Sequence, residues 1–173
     1  MNDSLQCILK EIDDILTPEE KEKIERIVYE ELENFGRCLR QAAQDLRKSE
    51  SLGQLMFEIE KFSSIYSLVY GSILSKLSKR ISLFDLMERL RLRLHIPYWR
   101  WQYIYNLLES YLLHKFKDAF ERFHEMLINE AISVAKSIGD KFGLSNIGIT
   151  TGISTGITGI SFTIQFSFNV EIK

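Results

Sequence analysis

Cysteine, proline and histidine are all scarce in this sequence. Among 173 residues there are two cysteines, Cys7 and Cys38, together with two prolines and three histidines. No Cys-x-x-Cys pair occurs, so the sequence offers neither a disulfide framework nor a cysteine-based zinc site. Both cysteines lie in helical patterns, where a small thiol ordinarily packs as an apolar side chain.

The sequence also lacks the signatures of catalysis and of export. It contains no P-loop, no dinucleotide-binding glycine fingerprint and no Ser-His-Asp arrangement. The first residues, MNDSLQCILKEIDDIL, have neither the basic start nor the long apolar run of a signal peptide. We therefore expect a non-enzymatic protein without a cofactor or metal, in a cytoplasmic or intraviral location. The richness in Ile, Leu, Glu, Lys and Arg is typical of a thermophile.

A net charge of −2 hides a strong charge asymmetry along the chain. Residues 1–34 carry 11 acidic against 4 basic side chains, a net charge of −7. Residues 74–101 carry 7 basic against 2 acidic side chains, a net charge of +5. We expect these two regions to attract each other, within one subunit or between subunits.

The spacing of apolar residues predicts three long and two short helices. Thr17-Pro18-Glu19-Glu20 provides a cap, a first-turn proline and two acids at a helix start, and Ser51 and Ser82 begin two further helices. Residues 89–96 also alternate as a strand would, but the cap at Ser82 favours a helix there. The predicted helices cover about residues 3–15, 18–47, 52–77, 83–94 and 98–138, with Gly139 as the final stop. Residues 1–142 should thus form an antiparallel helical bundle.

Residues 143–173 differ sharply in composition from the bundle. No charged residue lies between Phe142 and Val170, and five of the nine glycines fall between Gly143 and Gly159. Isoleucine, threonine, serine and phenylalanine dominate, and these residues suit a pleated sheet. The fold class is therefore mainly α, with a C-terminal β-hairpin or β-strand tail.

The end of this tail alternates strictly between apolar and polar residues. The apolar positions are Ile160, Phe162, Ile164, Phe166, Phe168, Val170 and Ile172. The isoleucines upstream have the opposite parity, so a hairpin turn or a bulge is needed near Thr158-Gly159. We predict a hairpin over 147–172, with strands 147–154 and 160–172.

The apolar face of the tail needs a cover, because seven large side chains exposed to water would forfeit on the order of 10 kcal/mol. Three covers are open: the chain's own helices, the same tail from neighbouring subunits, or a membrane reached through residues 145–173. We favour the second, in which strands add across a homo-oligomer that forms a ring or shell. The seven apolar residues are then the predicted oligomer interface. Insertion of many tails into a membrane as one barrel is the alternative.

A basic and aromatic stretch, RLRLRLHIPYWRWQYIY, covers residues 89–105. Its arginines suit phosphates and its aromatic rings suit stacking on bases, which makes nucleic acid a second alternative partner. The residues concerned are Arg89, Arg91, Arg93, Arg100, Trp99 and Trp101. In the alternative interpretation these residues have a structural role only: the arginines face the acidic N-terminal region, and the aromatic rings pack where two helices meet.

Two weaker patterns involve histidine. Glu121 and His124 have the Glu-x-x-His spacing of di-iron bundles, but the sequence has no second copy, so a solvated face is expected. Arg89 and His95 resemble the arginine–histidine pair of helical ribonucleases of the HEPN class. Leu90 stands where those enzymes usually have a polar residue, and no family is assigned on this spacing.

Overall fold

The computed structural model of the chain describes residues 2–156 and 159–170. Within the tail it describes the side chains of 141–144, 148, 149 and 165–167. The helices are α1 Asn2–Ile15, α2 Pro18–Arg47, α3 Leu52–Ser67, α4 Val69–Arg80, α5 Leu83–Arg93, α6 Trp101–Lys115 and α7 Lys117–Phe142, with a 3-10 turn Tyr98–Arg100 before α6. Two strands follow, β1 Leu144–Gly156 and β2 Gly159–Val170. The predicted fold class, a mainly α bundle with a C-terminal β-hairpin, is confirmed.

The predicted helix starts are present as capping interactions. The backbone N–H of Glu20 donates to Thr17 Oγ1 at 3.1 Å, and the N–H of Thr17 donates to the Glu20 carboxylate at 3.0 Å. Ser51 and Ser82 likewise accept hydrogen bonds from the backbone N–H groups three residues later. These side chains satisfy amides that have no partner in the first turn of a helix, which is why the starts are readable from the sequence.

The structure divides the helix predicted over residues 52–77 at Leu68. The hydroxyl of Ser67 donates to the carbonyl of Ser64 at 2.8 Å, and the N–H of Leu68 turns back to the carbonyl of Ile65. The N–H of Leu68 therefore bonds three residues back, as in a 3-10 turn, and this interrupts the regular α-helical ladder. The prediction of one long helix was therefore wrong here, and α3 and α4 meet at a break.

The helix predicted over residues 98–138 is divided in a similar way. The break falls at Phe116, which is buried and packs edge-on against Tyr29 of α2 with ring centres 6.1 Å apart. The predicted stop at Gly139 was also wrong, because α7 continues to Phe142. Gly143 ends it instead, with a φ of 63° that glycine adopts without a steric cost.

The longest helix, α2, lies at the centre of the bundle. It packs against α3, α4 and α7, while α1 lies against α5 and α6. The buried apolar side chains of all seven helices form one continuous core. The predicted attraction between the acidic and basic regions is confirmed within the chain. Ion pairs join Glu11 to Arg93, Glu20 to Arg89, Glu30 to Arg80 and Glu31 to Lys76.

The two strands form an antiparallel hairpin in which Gly156 pairs with Gly159 and Leu144 with Val170. The predicted hairpin is confirmed, and its first strand begins three residues earlier than the predicted 147. The register shifts between Ser145 and Gly148, where β1 has one residue more than β2 and so forms a bulge. The residues of the predicted turn at 157–158, and the chain end at 171–173, lie outside the described residues.

Candidate functional site

The hairpin lies on the bundle, with β1 against α7 and β2 against α3. Phe166 in β2 packs edge-on against Phe62 in α3, with ring centres 5.9 Å apart. Its register partner in β1 is Ile149, and both side chains contact the hydrophobic core. Their neighbours Gln165 and Ser167 are exposed. At this point the chain's own helices cover one face of the hairpin and water covers the other.

Among the seven predicted interface residues, Phe166 is the one whose side chain the structure describes. Ile160, Phe162 and Ile164 occupy alternate positions of β2 with Phe166, while Phe168 and Val170 lie further along the same strand. Ile172 lies outside the described residues. Phe166 contacts its own bundle, so the face that we predicted to bind neighbouring subunits is at least partly occupied within one chain. The role of these residues in oligomer contacts stays a prediction.

The outer edges of the hairpin are long and carry no charge. Among the described residues, β1 and β2 pair only with each other, so each strand has one edge whose backbone groups bond to no other strand. Charged residues, prolines and β-bulges usually protect such edges, and residues 143–170 contain no charged residue before Glu171 and no proline. The bulge between Ser145 and Gly148 protects the start of β1, which leaves the regular stretch from Gly148 to Gly156. The hairpin is therefore able to accept a further strand.

An open groove of about 620 Å³ runs between α7 and β1. Apolar side chains of both elements form its walls, among them Ile128, Ile132, Leu144 and Ile149. Ile132, in α7, is 54% exposed. Lys136 and Asp140 are the charged residues that line the groove.

Two of the predicted nucleic-acid arginines bind the acidic N-terminal region instead. Arg89 lies 2.6 Å from a Glu20 carboxylate oxygen and donates to the carbonyl of Ile15 at 2.9 Å. The hydrogen bond to Glu20 raises the pKa of the Arg89 guanidinium. Arg93 lies 2.7 Å from the carboxylate of Glu11. These contacts match the structural interpretation, in which the arginines face the acidic N-terminal region.

A third arginine is bound locally. Arg91 donates two hydrogen bonds to Glu88, at 2.6 and 3.0 Å, and its guanidinium lies 3.8 Å from the centre of the Tyr98 ring. A guanidinium held by a carboxylate on one side and a ring on the other is a poor phosphate ligand, since releasing it costs both contacts.

The remaining part of this region is open to solvent. Trp99 is 83% exposed, and Arg100 lies 4.3 Å from the centre of the Tyr103 ring. No described carboxylate forms an ion pair with Arg100. Trp101, in contrast, packs against the core and stacks with Tyr98. The predicted set is thus divided between bound arginines, a packed tryptophan, and the exposed pair Trp99 and Arg100.

The histidine patterns do not form a site among the described residues. No cluster of three potential metal ligands is present there. The Nδ1 atom of His124 lies 2.6 Å from the hydroxyl of Tyr66, and burial lowers the pKa of His124. His95 is exposed at the end of α5, while Arg89 is bound to Glu20. The pairing suggested by the ribonuclease resemblance therefore has no shared pocket.

A buried carboxyl group escaped the sequence analysis. Glu109 in α6 is 5% exposed and lines a small, mostly aliphatic cavity of about 20 Å³ together with Tyr105. Burial raises the pKa of Glu109, although a hydrogen bond from Tyr105 opposes this effect. The available signal was its place in the apolar run LLESYLL, four residues after a tyrosine. The cavity has room for about one water molecule, and not for a larger ligand.

No helix in the described part of the chain combines the length and the apolar character needed to cross a bilayer. Comparison with protein-family models, curated proteins and solved structures gave no match to this chain.

Proposed function

We propose that this protein is a non-enzymatic structural subunit that assembles with copies of itself by strand addition at the edge of its C-terminal hairpin. One observation carries the proposal: a hairpin with strands of 13 and 12 residues has two uncharged edges that pair with no other strand of the described chain. Strand addition supplies backbone hydrogen bonds in a fixed register, and it removes an edge that would otherwise invite aggregation. A ring or shell is the assembly that the sequence favours.

The test is the solution mass of the full-length chain, measured by light scattering after size exclusion. We expect a defined mass that is a multiple of 20.3 kDa. The variant Thr150→Lys/Ser154→Lys adds two charges to β1, and lysine on an edge strand opposes pairing with a second sheet. It should shift the protein toward the monomer while the helical circular dichroism signal is unchanged.

The matched control is Gln41→Lys/Ser75→Lys, which adds the same two charges at exposed positions of α2 and α4. This variant should keep the mass of the wild-type protein. A wild-type chain that remains monomeric over a wide range of protein concentration overturns the proposal.

A second candidate function is binding of single-stranded nucleic acid, which the exposed Trp99 and the adjacent Arg100 favour. Retention of labelled RNA or DNA at low salt should then fall in Arg100→Glu but not in Arg26→Glu, an exposed control on α2. Equal retention by both variants removes this candidate.

The membrane alternative is tested by co-sedimentation with anionic and neutral vesicles. It is removed if no protein pellets with either kind of vesicle.

A further inference from the structure

The groove between α7 and β1 has the dimensions of a bound strand. Its helical wall extends from Ile128 to Gly139, which is about 16 Å at 1.5 Å per residue. A strand of about five residues covers the same length at 3.3 Å per residue. Leu144 and Ile149 of β1 line the side of the groove opposite α7, so a strand lying in the groove would run beside β1 and would cover the exposed side chain of Ile132.

The charges of the groove suit a second copy of the same surface. Lys136 and Asp140 lie one helical turn apart, and neither forms an ion pair within the described part of the chain. A two-fold axis between two such grooves allows Lys136 of each copy to face Asp140 of the other. Nucleic acid gains nothing comparable, since the carboxylate of Asp140 repels a phosphate.

The two edges of the hairpin differ in their surroundings. β2 contacts α3, α4 and α6, whereas β1 packs mainly against α7 and borders the open groove. An added strand beside β1 therefore finds an apolar floor ready to receive its side chains. The edge of β1 from Gly148 to Gly156, beyond the bulge, is the better acceptor.

We propose that the groove is occupied by β1 of a second copy of this chain. The two β1 strands pair antiparallel across a two-fold axis and form a four-stranded sheet in the order β2, β1, β1, β2. Ile132 of each copy is buried under the strand of the other, and Lys136 pairs with Asp140 across the axis. This inference rests on the proposed self-assembly and specifies its first contact, which makes a dimer the basic unit.

The first experiment compares two full-length variants that each place a glutamate at an exposed aliphatic position of a helix. Ile132→Glu puts a charge into the groove, whereas Leu92→Glu changes a residue of α5 that is 58% exposed. Dimer dissociation constants are measured by concentration-dependent light scattering. We expect Ile132→Glu to weaken the dimer at least about tenfold, because the carboxylate would be removed from water under the added strand and would compete with Asp140 of the other copy for Lys136. Leu92→Glu should not change it.

The second experiment uses charge reversal and mixing. Lys136→Asp alone brings carboxylates together across the axis, and Asp140→Lys alone brings ammonium groups together, so each variant should form a weaker dimer than the wild type. A mixture of the two variants restores opposite charges at both contacts, and we expect it to form the dimer again. A role of Lys136 or Asp140 within a single chain would not give recovery on mixing.

The outcomes separate this inference from the proposed function. The first possible outcome is that Thr150→Lys/Ser154→Lys is monomeric while Ile132→Glu and the charge-reversal variants assemble like the wild type. In that case the proposed self-assembly holds, but the groove is not the contact between subunits. A ring or open polymer with no dimer unit also overturns the two-fold pairing. A wild-type chain that is monomeric throughout overturns both.

Discussion

The ring of Phe166 packs edge-on against the ring of Phe62, and this contact attaches the tail to the bundle. The two residues are separated by most of the chain, and Phe62 is fully buried beneath the hairpin. Edge-to-face ring pairs stabilise a structure beyond the apolar area that they bury. The tail is therefore part of the core of one subunit as well as the proposed contact between subunits.

Replacing Phe166 tests this double role. Phe166→Ala should lower the free energy of unfolding by about 2 kcal/mol, roughly half the loss for a fully buried phenylalanine, because Phe166 is only partly buried. Urea denaturation followed by circular dichroism measures the change. Phe57→Ala is the control in α3, since Phe57 is 65% exposed and its removal should change stability by less than about 0.5 kcal/mol. Equal losses in the two variants would contradict the docking of the tail.

Replacing His95 by glycine should increase the stability of the fold. It has a φ of 53° at the end of α5, where the N–H of Ile96 bonds to the carbonyl of Arg91 at 3.0 Å. This helix-ending motif usually has glycine at the left-handed position, so His95→Gly should stabilise the protein by about 0.5–1 kcal/mol. His114→Gly, at an exposed position of α6, should destabilise it by a few tenths of a kcal/mol. Thermal unfolding measures both, and the same sign for both changes would count against the motif.

His124 should make stability depend on pH near neutrality. Burial lowers its pKa in the folded chain below the ordinary value of 6.5. As the pH falls, His124 therefore binds a proton in the unfolded chain at a higher pH than in the folded chain. The contribution of neutral His124 to the free energy of unfolding is present above about pH 6.5 and is lost as the pH falls through the lowered pKa. His124→Gln should remove this component, so the difference in stability between wild type and variant should change between pH 7 and 5. A constant difference would show that His124 titrates alike in both states.

Glu109 should give stability the opposite pH dependence to His124. Burial raises its pKa above the ordinary value of 4.5, so the stability that the neutral carboxyl group contributes is present below about pH 4.5 and is lost as the pH rises through the raised pKa. Glu109→Gln keeps the shape without the charge and should be more stable than wild type at pH 7. That advantage should shrink toward pH 4.5. Urea denaturation at the two pH values measures it, and a variant less stable than wild type at pH 7 would contradict burial as the dominant effect.

Local signals in the sequence account for the helix starts and for the change at Gly143. Thr17, Ser51 and Ser82 act on amides only three residues away, so their effect does not depend on the rest of the fold. The breaks at Leu68 and Phe116 were missed because apolar spacing continues through both of them. At Phe116 the deciding contact is with Tyr29, which is distant in sequence.

The candidate sites were predictable to different degrees. The residue order identified the uncharged, alternating tail and the opposite net charges of residues 1–34 and 74–101. The sequence did not show that Arg91 pairs with Glu88 and Arg93 with Glu11. Either carboxylate can bind an arginine, and Glu11 is within reach only because α1 packs against α5. The burial of Glu109 was hidden for the same reason.

The sequence by itself determined the class of the fold, the capped starts of α2, α3 and α5 and the position of the hairpin, because these depend on backbone preferences and on periodicity over a few residues. Tertiary structure alone decided which face of the hairpin lies on α3 and α7, which arginines remain free, and where the groove beside β1 opens. These features depend on side chains brought together from distant parts of the chain, and no local pattern records which of several suitable partners will be nearest.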